Sequence, residues 1–192
     1  MGTDSQINIE KLEAQIRKCY GRITYSHSTH IKSAKLCFKR LHKIKLTHII
    51  LSSITTCGII FSVFGKNQWT LVVTAFFSLA LTILTAYNKE NNLGELGQKH
   101  KDTANDLWNV RESYLSLIAD IQSNTTLPEQ LRQKRDELQE TLANIYKSAP
   151  TSIFTDNAYK EAQVGLQKNE EMTFSEDELD NLLPPELRKN NK

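Results

Sequence analysis

Four hydroxyl side chains, Thr70, Thr74, Ser78 and Thr82, recur at every fourth position of "WTLVVTAFFSLALTILTAYNKE", a run that carries no charge between Trp69 and Tyr87. In an apolar surrounding such a stripe has two uses. Small hydroxylated residues let helices approach closely and bond across their interface, or, turned to a shared axis in an oligomer, they line water. Ser52, Thr55 and Thr56 supply a second polar patch in an apolar run just upstream. Two helices enclose no lumen, so the water-lining use requires several copies of the chain. Neutral hydroxyls would make such a path weakly ion selective.

The remaining groups with chemical potential are dispersed. Of the five histidines, only His27 and His30 share helical spacing, and no carboxylate or third ligand accompanies them to hold a metal. His48 falls at the edge of an apolar run and reads as an interfacial residue. The three cysteines, Cys19, Cys37 and Cys57, form no CxxC pair, which argues against a disulfide framework or a zinc site and fits a reducing compartment. The sequon beginning at Asn124 has meaning only in a secretory lumen and reads as chance. No phosphate-binding glycine loop, GxSxG elbow or HExxH motif is present. The expectation is therefore a protein without enzymatic activity and without a cofactor.

The elements that must position the hydroxyls are two uncharged stretches, 46–64 ("LTHIILSSITTCGIIFSVF") and 69–87. Each has 19 residues, which at 1.5 Å per helical residue approaches the roughly 30 Å hydrocarbon layer of a bilayer. Only residues 65–68, "GKNQ", separate them, so the pair reads as a transmembrane hairpin with an external turn. Trp69 and Tyr87 stand where aromatic belts form. Lys32, Lys35, Lys39, Arg40, Lys43 and Lys45 crowd the approach to the first stretch, whereas the turn holds Lys66 alone. The positive-inside rule then places both termini in the cytoplasm. Lys39, Arg40, Lys43 and Lys45 would lie at the headgroups, each contributing about 1 kcal/mol of attraction to anionic lipid. That membrane role also explains the basic, aromatic-interleaved "KLCFKRLHKIK" without nucleic acid. The mean hydropathy of −0.45 is that of a soluble chain, because the flanks are strongly polar; two buried helices of a soluble bundle are the alternative reading.

The flanks read as helices. A basic amphipathic helix over 1–45 carries a seam at Ile9, Leu12, Ile16, Cys19, Ile23, His30, Cys37, Leu41 and Ile44. The cytoplasmic region 88–192 opens with a matching seam, Leu93, Leu96, His100, Ala104, Leu107, Arg111, Tyr114, Ile118 and Ile121. Since the spans are antiparallel neighbours, the two seams should face each other as a stalk. Gly94 and Gly97 read as a bend below the membrane; Arg111 either packs its stem while its guanidinium meets a carboxylate, or stands exposed. A further helix begins near Thr126, a candidate cap, and Pro128, with Leu131, Leu138, Leu142 and Ile145 on one face. Another spans 155–167 with Ala158, Tyr159, Ala162 and Leu166 inward. Ser175 and Glu178 form a capping-box pattern ahead of Leu179, and Pro184 and Pro185 end that helix. No strand pattern appears, so the fold class is all-α: a two-helix transmembrane hairpin extended by a cytoplasmic helical stalk or bundle.

Charge is unevenly spread: residues 1–45 hold ten basic and three acidic side chains, and 169–187 hold seven acids and no base. The acidic tail around Glu176, Asp177 and Asp180 is thus placed to rest on the basic helix of its own or a neighbouring subunit.

The order of these features, with Leu107, Trp108, Arg111 and Tyr114 after the hairpin, "IYKSAPTSIFTDNAYKEA" in the middle, and Leu183, Pro184, Leu187 and Arg188 at the end, resembles the SLATT family. These are SMODS/SLOG-associating two-transmembrane effector domains of bacterial nucleotide-signalling and anti-phage conflict systems. The resemblance implies a homo-oligomer in the bacterial inner membrane that forms a pore or permeabilises the bilayer, killing or arresting the cell. Its trigger would be a separate sensor or nucleotide-signalling protein, or the chain's own helices, as no sensor is fused to this sequence. A membrane-anchored scaffold that recruits a cytosolic partner is the alternative, and a soluble helical adaptor the third reading.

Overall fold

A computed structural model describes residues 2–65, 68–123, 126–184 and 188, with side chains from residue 9 onward. Its elements are six helices: α1 (Gly2–Phe64), α2 (Gln68–Asn91), α3 (Leu93–Gln122), α4 (Pro128–Ser148), α5 (Thr155–Lys168) and α6 (Glu176–Leu182). Among the described residues there is no strand.

The basic helix and the first apolar stretch are a single helix. α1 runs 63 residues without a break, about 94 Å at 1.5 Å per residue. No proline occurs before Pro128 to interrupt it, and it stops at Gly65, whose amide bonds Phe61 O at 2.7 Å. α2 returns beside its last third. α3 then continues downward along the first two thirds of α1, and α4 and α5 pack back on this pair.

The break between α2 and α3 lies at Asn92, not at the glycines. Asn92 sits in the left-handed region (φ 36°, ψ 50°), a conformation asparagine tolerates better than most residues. Its side-chain amide donates to the Glu95 carboxylate. Gly94 and Gly97 lie inside α3 and serve close approach: a Cβ on Gly97 would stand 3.0 Å from the Phe38 ring and 3.2 Å from Cys37 Cβ, and one on Gly94 would stand 3.4 Å from Leu41. The expected bend is therefore displaced by two residues, and the glycines instead bring α3 onto α1.

Leu12, Ile16, Cys19 and Ile23 of α1 interlock with Leu107, Val110, Tyr114, Leu117 and Ile121 of α3, closed by Leu131 of α4. Leu138, Leu142 and Ile145 lean on this core from α4, as their spacing predicts. On α3 the buried line drifts from the expected one. Gly97, Thr103, Val110 and Leu117 are buried, while Leu96, Arg111 and Ile118 are only half-buried, because small residues at the contact draw the helix onto an adjacent face. On α1, Ser28, Thr29 and Ser33 are also buried, a second face that the seam reading did not include.

Two further expectations are corrected. Leu127, not Thr126, caps α4, with Pro128 in the first turn and no side-chain capping bond; proline at that position loses no helix bond. On α5 the inward residues are Ala158, Ala162 and Gly165, while Tyr159 is half exposed and tilts against Tyr25 with ring centroids 6.0 Å apart. Small residues lie closest to the partner helix, and the bulky ring moves to the rim. The capping box of α6 forms as read: Ser175 Oγ accepts from the Glu178 amide, and the Glu178 carboxylate accepts from the Ser175 amide at 2.8 Å.

Candidate functional site

The hairpin is held by small residues. Gly58 of α1 faces Thr74 of α2, and a Cβ at Gly58 would overlap the Thr74 hydroxyl. Thr55, one turn earlier, is buried at 9% exposure, and Thr70, Thr74 and Phe77 of α2 are half-buried. Small side chains at this contact let the backbones approach, the usual way helices associate in lipid.

The hydroxyl stripe does not stay in that contact. Each four-residue step on an α-helix overshoots a full turn by about 40°, so the stripe winds about 120° between Thr70 and Thr82. Thr70 and Thr74 accordingly face α1, while Ser78 and Thr82 are exposed on the outer surface. On α1 the split is similar: Thr55 is buried, Ser52 is half-buried and Thr56 is exposed. The hydroxyls donate within their own helices, Thr55 to Leu51 O at 2.9 Å, Thr56 to Ser52 O at 2.9 Å, Thr74 to Thr70 O at 2.7 Å and Thr82 to Ser78 O at 3.0 Å. Their donors are satisfied without a cross-helix bond, while each oxygen keeps lone-pair capacity. Across the hairpin His48 Nε2 meets Thr85 Oγ1 at 3.2 Å. Thr85 was not among the expected residues; its position eleven residues after Thr74, about 20° around the helix from that α1-facing residue, was the available signal.

The apolar surface of the hairpin is uncovered. α2 has no buried residue, and Phe64, Trp69, Phe61 and Phe76 are exposed by 86, 74, 69 and 69%. At about 25 cal/mol per Å² of apolar surface, water does not tolerate so large a continuous patch. The soluble-adaptor reading required this block to be buried, and it is not.

The family description "SMODS and SLOG-associating 2TM effector domain family 4" matches residues 12–178. The chain belongs to this SLATT family. The match takes in the stalk, both apolar helices and the start of α6, so the two long exposed helices are those of a two-transmembrane effector domain. The description also records association with SMODS and SLOG proteins. No curated protein and no solved structure matches the chain.

Within the SLATT domain, the residues that carried the resemblance are mostly structural. Leu107 and Tyr114 are fully buried in the stalk core and Trp108 is half exposed beside them. Burial, then the neighbouring Cys19, pushes the Tyr114 hydroxyl up to about 12; that oxygen is buried with only this weak sulfur acceptor beside it, outside hydrogen-bond geometry. Arg111 packs its stem, the first of its two readings, and its guanidinium donates to Glu112 Oε1 at 2.7 and 3.0 Å and to Met172 Sδ at 3.0 Å. Leu183 and Pro184 follow α6, and Arg188 Nε closes back on Leu183 O at 2.9 Å. Leu187 lies outside the described residues, as do Lys66 and Asn124. Lys39, Arg40, Lys43 and Lys45 are exposed where α1 enters the apolar stretch, and Tyr87 is exposed at the matching level of α2.

The acidic segment reaches α1 through a residue the sequence reading did not single out. Lys32 Nζ donates to both carboxylate oxygens of Glu171, at 2.7 and 2.8 Å, from a site where the lysine is mostly buried. Gly165 makes room for it, since a Cβ there would lie 2.5 Å from the same carboxylate.

His30 pairs with His100 instead of completing a metal site with His27. Among the described residues no cluster of three potential metal ligands occurs. His27 points a buried, unpartnered Nδ1 into the stalk. Burial holds all three rings below the ordinary histidine value, with Arg111 adding to the effect at His27.

Proposed function

We propose that this chain is a non-enzymatic membrane effector of a bacterial conflict system. Its hairpin inserts in the inner membrane with both termini cytoplasmic, and several copies assemble and permeabilise the bilayer when a separate sensor or signalling protein triggers them, causing death or arrest. The observation that carries this reading is the uncovered apolar hairpin, whose stripe turns Ser78 and Thr82 away from the partner helix. A single hairpin uses Thr55, Gly58, Thr70 and Thr74 to hold itself together. The outward hydroxyls remain for contacts between copies and for the wall of a water path.

The stalk supplies the lever. α1 is one helix from the cytoplasmic core to the far end of the hairpin, so a displacement of α4 or α5 acts on the same rod that crosses the membrane. A trigger shifts the assembly only by binding its open form more tightly than its closed form. Fractionation tests the placement: the chain should remain in the membrane pellet after a carbonate wash. Recovery as a soluble monomer without detergent would overturn it.

A further inference from the structure

A cleft of about 920 Å³ opens on the stalk between α1, the end of α4 and the start of α5. Tyr25, Tyr146 and Tyr159 form its walls, and Lys18 and Arg22 stand at its edge. The size is at the upper end for a small-molecule site. Two of the rings are fixed in place: Ser26 Oγ and Tyr146 OH lie 2.9 Å apart, and Gln167 donates to Tyr25 OH at 2.6 Å. Among the described residues neither Lys18 nor Arg22 has a carboxylate partner; Arg22 rests one Nη on Cys19 Sγ at 3.1 Å.

Gly21 separates this site from an ordinary gap between helices. It sits in the interior of α1, where glycine is the poorest helix former after proline. Gly58 and Gly97 are explained by close neighbours, but a Cβ on Gly21 would meet nothing within 4 Å. No packing constraint calls for a missing side chain there. Its consequence is an open cleft floor between Lys18, Arg22 and Tyr25.

We propose that this cleft binds a mononucleotide-class ligand, a planar ring held among Tyr25, Tyr146 and Tyr159 and a phosphate held by Lys18 and Arg22. Aromatic faces stack bases, guanidinium and ammonium groups bind phosphate oxygens with charge-assisted bonds, and fixed rings lower the ordering cost of binding. Arg22 lies 24 residues before Leu46 along the same helix, about 36 Å from the apolar stretch, so the ligand is a soluble one and not a lipid headgroup.

The test is titration calorimetry of the full chain in detergent micelles with the 5′-monophosphates of adenosine, guanosine, cytidine and uridine. At least one should bind with a dissociation constant at or below about 1 mM, with adenosine alone and ribose 5-phosphate alone each weaker by about tenfold or more. Arg22→Ala, at an exposed site, should weaken binding about tenfold. Gly21→Leu should abolish it while leaving the thermal midpoint unchanged or higher; Tyr146→Ala is the second variant for the same cleft. Absence of binding by all four at about 10 mM, ribose 5-phosphate as tight as the nucleotide, or full binding by Gly21→Leu would overturn the site. Binding is read without any membrane activity, so failure here leaves the proposed permeabilisation standing, and loss of permeabilisation leaves the site standing.

Discussion

The Nδ1 atoms of His30 and His100 lie 2.9 Å apart between α1 and α3, with ring centroids at 5.0 Å. Such a pair holds only while one nitrogen donates and the other accepts, so both rings are neutral or one proton is shared. Burial, then the neighbouring His100 and His27, lowers His30 to about 4, and burial lowers His100.

A depressed histidine stabilises the fold above its unfolded value and loses that contribution as pH falls, because the unfolded chain takes up protons that the folded chain refuses. Between about pH 6.5 and 4 the stalk should therefore weaken, by on the order of 2 kcal/mol once partial solvent access to His30 is allowed for. Amide exchange of α1 and α3 in micelles should accelerate over that window. His30→Gln should flatten the dependence, and an unchanged slope in that variant would contradict the assignment.

Gly97 and Gly21 sit in the same stalk and predict opposite outcomes. Gly97→Val pushes a branched side chain into Phe38 and Cys37 and should destabilise by about 1–3 kcal/mol. Gly21→Ala, with open space around it, should stabilise by up to about 1 kcal/mol. Thermal unfolding in micelles separates them.

The seam of α1 could be read from its three-four rhythm because Leu12, Ile16, Cys19 and Ile23 pack into one layer with α3. What could not be read is how closely the partner approaches. Gly94 and Gly97 looked like a bend because glycine is permissive, yet here they admit Phe38, Cys37 and Leu41. Tyr159 looked inward by period alone, but Ala158, Ala162 and Gly165 give α5 the shorter approach. The hydroxyl stripe was visible as residues and not as geometry, because a four-residue spacing drifts around a 3.6-residue helix and leaves the interface after two steps. Glu171 was hidden among seven acids in its segment, and only the fold singles it out for Lys32.

Lys32 and Glu171 should control how firmly the segment after α5 is held. Glu171→Gln removes the charge from a two-pronged contact with a mostly buried lysine and should cost about 1–2 kcal/mol locally. Gly165→Ala should mimic it by displacing the same carboxylate. Limited proteolysis between α5 and α6 should speed up in both variants.

Tyr114→Phe should be nearly neutral, or stabilising, since the hydroxyl it removes is buried with only the weak acceptor Cys19 beside it. Leu107→Ala, in the same fully buried layer, should cost about 2–5 kcal/mol. Denaturation of the two variants side by side tests whether this part of the family motif is packing.

Membrane potential in bacteria expressing the chain, followed with a potential-sensitive dye, tests the central claim most directly. With its trigger present, the wild-type chain should depolarise the cells. Ser78→Leu with Thr82→Leu, which leaves the Gly58–Thr74 contact intact, should reach the membrane at the same level and leave the potential in place. Full depolarisation by that double variant, or a preserved potential with the inserted wild-type chain and its trigger present, would contradict the account.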